Sequence, residues 1–256
     1  MPDDLHIAPI TLEEMDSIKL MNRTDTKYLT NEATLDKVLG DAAAQGFRAL
    51  LVAGTQVIPY YSVYFDTPDL KMYLDHHNRR LNRHKVRTRE YVGTGNSFLE
   101  IKRKHNTGRT KKKRTPIPVG EMMDFSGDEA ACSYLESHCP FTVGDLSPVL
   151  STGFDRITLV NPDKTERITI DSHLEFNNFR TGRKASLLNA VVIEIKQDGR
   201  CASPMKRILL DRRVKPVRIS KYCIAETLTD PGAKSGRFKE KVRAIEKTIN
   251  KKLTTI

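Results

Sequence analysis

Polar and apolar residues alternate with period two along much of the chain, and charge falls on one side of the alternation. Arg83, Lys85, Arg87 and Arg89 share one face of a predicted strand, with His84, Val86 and Thr88 on the other. Residues 97–104 repeat the design: Phe98, Glu100, Lys102 and Lys104 oppose Leu99 and Ile101. Residues 23–29 set Arg23, Asp25 and Lys27 against Thr24, Thr26 and Tyr28. In the second half, Phe154, Arg156 and Thr158 share a face, as do Arg167, Thr169 and Asp171, with Ile168 and Ile170 behind. Residues 190–197 place Val192, Glu194 and Lys196 opposite Val191, Ile193 and Ile195. Residues 47–53 and 56–66 also read as strands. Residues 109–117 carry cations on both faces and end at Pro116, which marks an edge strand or an exposed ribbon.

Helices punctuate these strands. Thr11, with Glu14 three residues on, predicts a capped helix over 11–21. Asn31 opens another to about Gln45, with Leu35, Val38 and Leu39 on its buried stripe and Gly46 as its stop. A helical turn follows Asp66-Thr67-Pro68 through Met72 and Tyr73. Further helices are expected over 128–138, from Ser203-Pro204 to Asp211, and over about 237–251, the last strongly basic and expected to cap the fold in solvent. Short polar turns and the lack of a linker or repeat predict one domain over 1–256, with its core at about 20–228.

Four cations on one strand face stand about 6–7 Å apart from i to i+2, and burying them uncompensated costs several kcal/mol per ion. Such a face lies in water or against a polyanion. In a flat sheet the solvated reading would suffice. Here several strands present almost only cations, with acids at Asp25, Glu100, Asp171 and Glu194, whereas a solvated surface mixes signs. The pattern predicts an α+β fold: a closed antiparallel β-barrel whose lumen is cationic and whose aliphatic outside is covered by helices.

Composition agrees. Lys plus Arg number 43 against 32 Asp plus Glu, a formal charge of +11, which calls for an anionic partner. Trp is absent, and Phe and Tyr are not interleaved with the basic runs as a base-stacking platform requires, so no specific nucleic acid is expected. Cys132, Cys139, Cys201 and Cys223 form no CxxC pair, which suits reduced thiols in a cytoplasmic protein. The acidic N-terminus lacks an apolar run, and no segment approaches the ~20 apolar residues that span a bilayer. A soluble cytoplasmic protein is expected, one that could dock on a membrane-protein partner.

The chemistry that fits is phosphoryl transfer, which needs charge neutralisation and in-line positioning more than a covalent residue. Arg and Lys supply the clamp, and Mg²⁺ or Mn²⁺ bridges oxygens. Glu194, two residues from Lys196, is the candidate metal ligand, with Glu100 and Asp171 next. There is no GxxxxGK[ST] and no GxGxxG, and His76 and His77 read as solvated loop residues.

The ordered motifs R-x-D-x-K-Y (Arg23 to Tyr28), Y-F-D-T-P-D (Tyr64 to Asp69), K-V-R-x-R (Lys85 to Arg89), F-L-E-I-K (Phe98 to Lys102), R-I-T-I-D (Arg167 to Asp171), V-I-E-I-K (Val192 to Lys196) and S-K-Y (Ser220 to Tyr222) resemble the VTC domain. That is the catalytic domain of the vacuolar transporter chaperone polyphosphate polymerase and its bacterial homologues, within the CYTH-like triphosphate tunnel metalloenzymes. The resemblance implies a tunnel flanked by helices and metal-dependent transfer of the terminal phosphate of ATP onto polyphosphate. It places Lys27, Arg87, Arg89, Lys102, Arg156, Arg167, Lys196 and Lys221 on the reacting phosphates. Lys85, Arg218 and Ser220 join them as substrate-binding residues, with one of Lys113 and Arg114, the latter carried forward, and Glu194 as the metal ligand. Phe154 stands where a hydroxyl-bearing aromatic is common, so no hydrogen bond is expected from it. The superfamily's N-terminal E-x-E-x-K is replaced by R-x-D-x-K, which favours the polymerase over cyclase, thiamine triphosphatase or tripolyphosphatase branches. ATP, polyphosphate, pyrophosphate and tripolyphosphate are the implied ligands. The same clamp also serves a tripolyphosphate or polyphosphate hydrolase, or a polyphosphate-binding module without turnover. The chain has no room for the inositol-phosphate sensor and membrane helices of the eukaryotic polymerase, so regulation and export are not expected to carry over.

Overall fold

The computed structural model describes residues 7–18, 20, 24–199 and 201–254. Arg23 and Met21 lie outside the described residues; within them the first helix is shorter than the expected 11–21, ending at Ser17 with Ile18 extended. The elements run β1 (Ala8–Ile10), α1 (Leu12–Ser17), β2 (Thr24–Asn31), α2 (Glu32–Ala44), β3 (Arg48–Leu50), β4 (Ile58–Asp66), α3 (Lys71–His77), β5 (Arg83–Tyr91), β6 (Asn96–Lys104), β7 (Thr110–Pro116), α4 (Glu129–His138), β8 (Ser147–Val160), β9 (Glu166–Asn178), β10 (Lys184–Ser186), β11 (Ala190–Gln197), α5 (Pro204–Asp211), α6 (Lys221–Thr229) and α7 (Lys239–Ile249). The capping signals act as read. Thr11 and Glu14 form the reciprocal box of α1, and the Asn31 side chain accepts from the Thr34 N–H at α2.

One sheet carries the main path β2-β11-β9-β8-β4-β5-β6-β7, all antiparallel, while β1 pairs parallel to β3 at one side. The path is open, which corrects the expectation of a closed barrel: among the described residues no ladder joins β2 to β7. The reason is local. β7 is an exposed, charge-dense edge ending in Pro116. The free edge of β2 is covered instead by the segment before α6, where the Val217 N–H donates to the Lys27 carbonyl at 2.7 Å and Pro216 bridges Tyr28.

The sheet nonetheless curls around its charged face. Five strands lie between β2 and β6 in the path, so in a flat sheet they would be roughly 29 Å apart. Yet Lys27 on β2 and Glu194 on β11 both act on the charge of Lys102 on β6. The outward face is apolar and helix-covered. Ile157, Ile168, Ile170 and Ile193 pack under Leu35 and Val38 of α2 and Met205 and Ile208 of α5. Val86, Leu99 and Ile101 pack under Leu135 of α4 and Phe125. Each such side chain contributes about 1.5–3 kcal/mol of burial. At one end of the inner face α6 and α7 pack on Leu174, Phe176 and Val192 through Tyr222, Ile224, Phe238 and Ile245.

His76 and His77 are not solvated loop residues. Both belong to α3, where His77 is buried against Phe238 and His76 Nδ1 lies 3.1 Å from Cys223 Sγ. Among the described residues no helix is long and apolar enough to cross a membrane.

Candidate active site

Strand register places the cations. On β5, Lys85 and Arg87 stand opposite Lys102 and Glu100 of β6, which stand opposite Lys112 and Arg114 of β7. Arg87 grips Glu100 Oε2 through Nε at 2.8 Å and Nη2 at 2.6 Å, and its Nη1 donates to the Tyr64 hydroxyl at 3.0 Å. Lys112 pairs with the other Glu100 oxygen. Burial pushes the Glu100 carboxyl up, but Arg87, Arg89 and Lys112 outweigh it and hold the group well below the usual carboxylate range. Arg89 is buried, donates to Ser62 Oγ at 3.0 Å, and is lowered to about 10 by burial and by Arg87.

A second triad sits on β8, β9 and α6. Arg156 donates to Asp171 through Nε at 2.6 Å and Nη2 at 2.8 Å, and Lys221 pairs with the same carboxylate. A third group joins β2 and β11: Lys27 stands directly opposite Glu194, whose carboxylate pairs with Lys196 at 3.0 Å. Burial raises Glu194, and Lys196, Lys27 and Lys102 more than reverse this, to about 2. α6 closes the ring. Ser220 caps it by accepting from the Cys223 N–H at 3.4 Å, and its Oγ also receives the Lys85 ammonium at 2.8 Å. The Lys27 ammonium donates to the Ile219 carbonyl at 3.3 Å.

The balance of this face is cationic. Among the described residues Lys27, Lys85 and Lys102 make no ion pair. Burial, then Lys27 and Lys85, push Lys102 down to about 8 although water reaches it. Lys221 is also lowered to about 8, by burial first. Burial raises the Tyr64 phenol, but Arg87, Arg89 and Lys85 bring it to about 8. These are the signs of charge left for a polyanion to neutralise.

Of the residues expected from sequence, Lys27, Lys85, Arg87, Arg89, Lys102, Arg156, Lys196, Ser220, Lys221 and Glu194 thus converge. Arg114 shares the inner register while Lys113, opposite Ile101, faces out. Arg167 shares the inner face, opposite Lys196, but its Nη2 donates to the Met15 and Ile18 carbonyls at the end of α1. Arg218 is exposed beside Lys241, whose ammonium donates to the Arg218 carbonyl. Sequence reading missed Lys112, hidden in the run Lys111-Lys112-Lys113, although the strict alternation from Glu100 across the ladder could have found it. It also missed Tyr64, which lay inside a recognised motif with no role attached.

The reading that aromatics are not interleaved with cations is overturned in space. Tyr60 and Phe154 stack with centroids 5.4 Å apart, and the Arg156 guanidinium lies 4.7 Å from the Tyr60 ring centre. Tyr91 neighbours Tyr60 at 4.9 Å and Phe98 at 5.7 Å, and Arg114 covers Phe98 at 4.5 Å.

Among the described residues no group of three or more His, Cys, Asp or Glu could hold a metal by itself. Glu100 and Asp171 are each engaged by two cations. Glu194 is an ionised hard-oxygen donor, which fits Mg²⁺ or Mn²⁺ when phosphate oxygens complete the coordination.

Comparison with known proteins bears on the fold and the family. The model of the VTC domain matches residues 22–229. No curated protein matches the sequence. Among solved structures, the chain is similar to a candidate adenylate cyclase from Bacillus halodurans, with TM-score 0.51 and 14% identity over 78% of this chain and 96% of that one. It is also similar to a candidate adenylyl cyclase from Hippeastrum, described as having a dominant triphosphatase activity. Here the TM-score is 0.52 at 13% identity, over 81% of this chain and 96% of that one.

Proposed function

This chain belongs to the VTC domain family, within the CYTH-like triphosphate tunnel proteins, and from that premise we propose that it is a metal-dependent polyphosphate polymerase, transferring the terminal phosphate of ATP onto a polyphosphate chain within the cationic channel. One observation carries the reading: Lys27, Lys85 and Lys102, from β2, β5 and β6, meet on one face, where Lys27 and Lys85 reach the adjacent Ile219 and Ser220 and Lys102 stands opposite Lys85. A row of phosphates repays their mutual repulsion, whereas water alone does not.

In this reading Arg87, Arg89, Arg156 and Lys221 hold non-bridging oxygens and align donor and acceptor in line. Lys102, Lys112 and Lys27 neutralise the charge that develops as the terminal phosphate moves. Arg114 and Lys85 with Ser220 bind the flanking phosphates. Arg167 and Arg218 serve there once they leave their present carbonyl and surface positions. Arg87 and Arg156 stay charged throughout, because the carboxylates of Glu100 and Asp171 outweigh burial and raise them. Glu194 and the phosphate oxygens would hold Mg²⁺ or Mn²⁺, which would supply further charge neutralisation on the phosphates. The ligands are ATP, polyphosphate, pyrophosphate and tripolyphosphate; the setting is the cytoplasm, with docking on a membrane protein compatible with it.

Incubation of the purified protein with ATP and Mn²⁺ or Mg²⁺, and separately with short polyphosphate, tests this when the products are run on a gel. Long polyphosphate made from ATP supports the polymerase. Release of inorganic phosphate from both substrates without elongation makes the protein a hydrolase, and micromolar binding without turnover makes it a binding module.

A further inference from the structure

We propose that the Tyr60–Phe154 end of the channel is a nucleobase platform, so that a nucleoside triphosphate enters with its base on the aromatics and its phosphates pointing inward to Arg87 and Lys102. The inference rests on the phosphate-channel reading above and adds a polarity to it.

The strand ladders build the platform. Tyr60 pairs in register with Tyr91 and with Phe154, and two residues further along β4 Ser62 pairs with Arg89. Period-two alternation therefore sets Tyr60 on the same face as Arg89 and Arg87, at the end of the row. Phe98 pairs with Arg89 and stands two residues before Glu100 on β6. Four strands thus bring four rings to one end of the channel, while the other end of the β5 row is Lys85 and Arg83, with no ring on β5 beyond them. Tyr60 is taken up by Phe154 and Arg156 and forms the floor, whereas Tyr91 and Phe98 are half-exposed at the rim and offer the rings a base can reach. The Arg114 guanidinium already occupies a stacking position over Phe98 at 4.5 Å and donates to the Tyr91 hydroxyl at 3.3 Å. It is exposed and on a long side chain, so a planar base can slide over it or replace it. Inorganic polyphosphate has no group that gains from such a surface.

Stacking on protein aromatics is worth about 1–3 kcal/mol per base, which is about 5- to 150-fold in affinity. The test compares ATP with methyl triphosphate, which keeps the triphosphate ester and lacks the base, by isothermal titration calorimetry at one salt concentration. On the unmodified protein ATP is expected to bind about tenfold tighter. Phe98→Leu keeps apolar bulk and removes a π-face, and Tyr91→Leu does the same beside it. Each is expected to bring ATP down toward methyl triphosphate, weakening ATP severalfold more than methyl triphosphate, whose affinity changes only as far as Arg114 shifts. Equal affinities on the unmodified protein overturn the platform and leave the channel reading intact. So does equal weakening of both ligands by the variants. If neither ligand binds the unmodified protein, the channel reading fails and takes this inference with it.

Discussion

The Tyr222 hydroxyl donates to the Asp66 carboxylate at 2.5 Å, tying α6 to the last residue of β4. Asp66 is fully buried and also accepts the N–H groups of Thr67, Met72 and Tyr73, so it satisfies two first-turn N–H groups of α3. Two motifs read separately from the sequence, Tyr64 to Asp69 and Ser220 to Tyr222, are therefore halves of one joint. Tyr222 also stacks on Tyr64 at 5.0 Å. The joint holds Ser220 and Lys221 against the channel wall.

Tyr222→Phe removes one donor from a buried carboxylate while keeping the ring. Loss of a hydrogen bond to a charged group predicts about 1.5–3 kcal/mol of destabilisation. Urea denaturation measures it. Because α6 carries Lys221, tripolyphosphate affinity is expected to fall as well. An unchanged denaturation midpoint would show that the joint holds little.

Much of this arrangement was legible in the sequence, because period-two alternation states which side chains share a face wherever a strand is regular. It placed Lys27, Arg87, Lys102, Arg156, Glu194 and Lys196 together before any pairing was known. It could not state which strands neighbour one another, and so could not see that Tyr60, Tyr91, Phe98 and Phe154, spread over four strands, form one surface. Nor could it resolve residues 109–115, where every position is charged or polar and alternation carries no contrast. Ser220 gave no clear helix start because Arg218 and Lys221 around it read as binding residues, while its cap on α6 is local backbone chemistry. The edges escaped for a similar reason: the alternation that implies a curled sheet says nothing about whether its last two strands bond.

Glu100 balances Arg87 and Lys112, with its side chain almost wholly buried. Removing one partner of a buried ionic group leaves uncompensated charge and costs about 3–5 kcal/mol. Glu100→Gln is therefore expected to lower the thermal midpoint sharply. Tripolyphosphate, supplying the missing negative charge, is expected to raise that midpoint by more than it raises the parent's. Differential scanning fluorimetry with and without tripolyphosphate separates the two effects. Equal ligand shifts would mean that phosphate does not reach Arg87.

The channel also sets a pH dependence. Lys102, Lys112 and Lys221 each have a folded value of about 8, lowered by burial first, against an ordinary 10.5. Between about 8 and 10.5 the unfolded chain binds more protons at these groups than the folded one, so their contribution to stability rises with pH. Tyr64, at about 8 against 10.0, acts in the same direction. The ligand-free protein is expected to gain stability from pH 7.5 to 9.5, and saturating tripolyphosphate, which favours the protonated lysines, to abolish or reverse that gain. Denaturation across this range reads the slope. A ligand-free protein that loses stability from pH 8 upward contradicts the crowding of these lysines.

Glu194→Gln separates holding phosphate from turning it over. Its carboxylate is ionised at neutral pH, and Lys196, Lys27 and Lys102 all act on it. Removing the charge takes an anion from the channel, so tripolyphosphate measured without metal is expected to bind at least as tightly. The same change removes the protein's hard-oxygen donor, so metal-dependent turnover of ATP is expected to fall to background, and added Mn²⁺ should no longer tighten tripolyphosphate binding. Calorimetry with and without Mn²⁺ supplies the second readout without relying on activity. If Glu194→Gln keeps both turnover and the metal effect on binding, the ion is held elsewhere, and Glu100 and Asp171, the carboxylates held by Arg87 and by Arg156 on the same charged face, are the next donors to change.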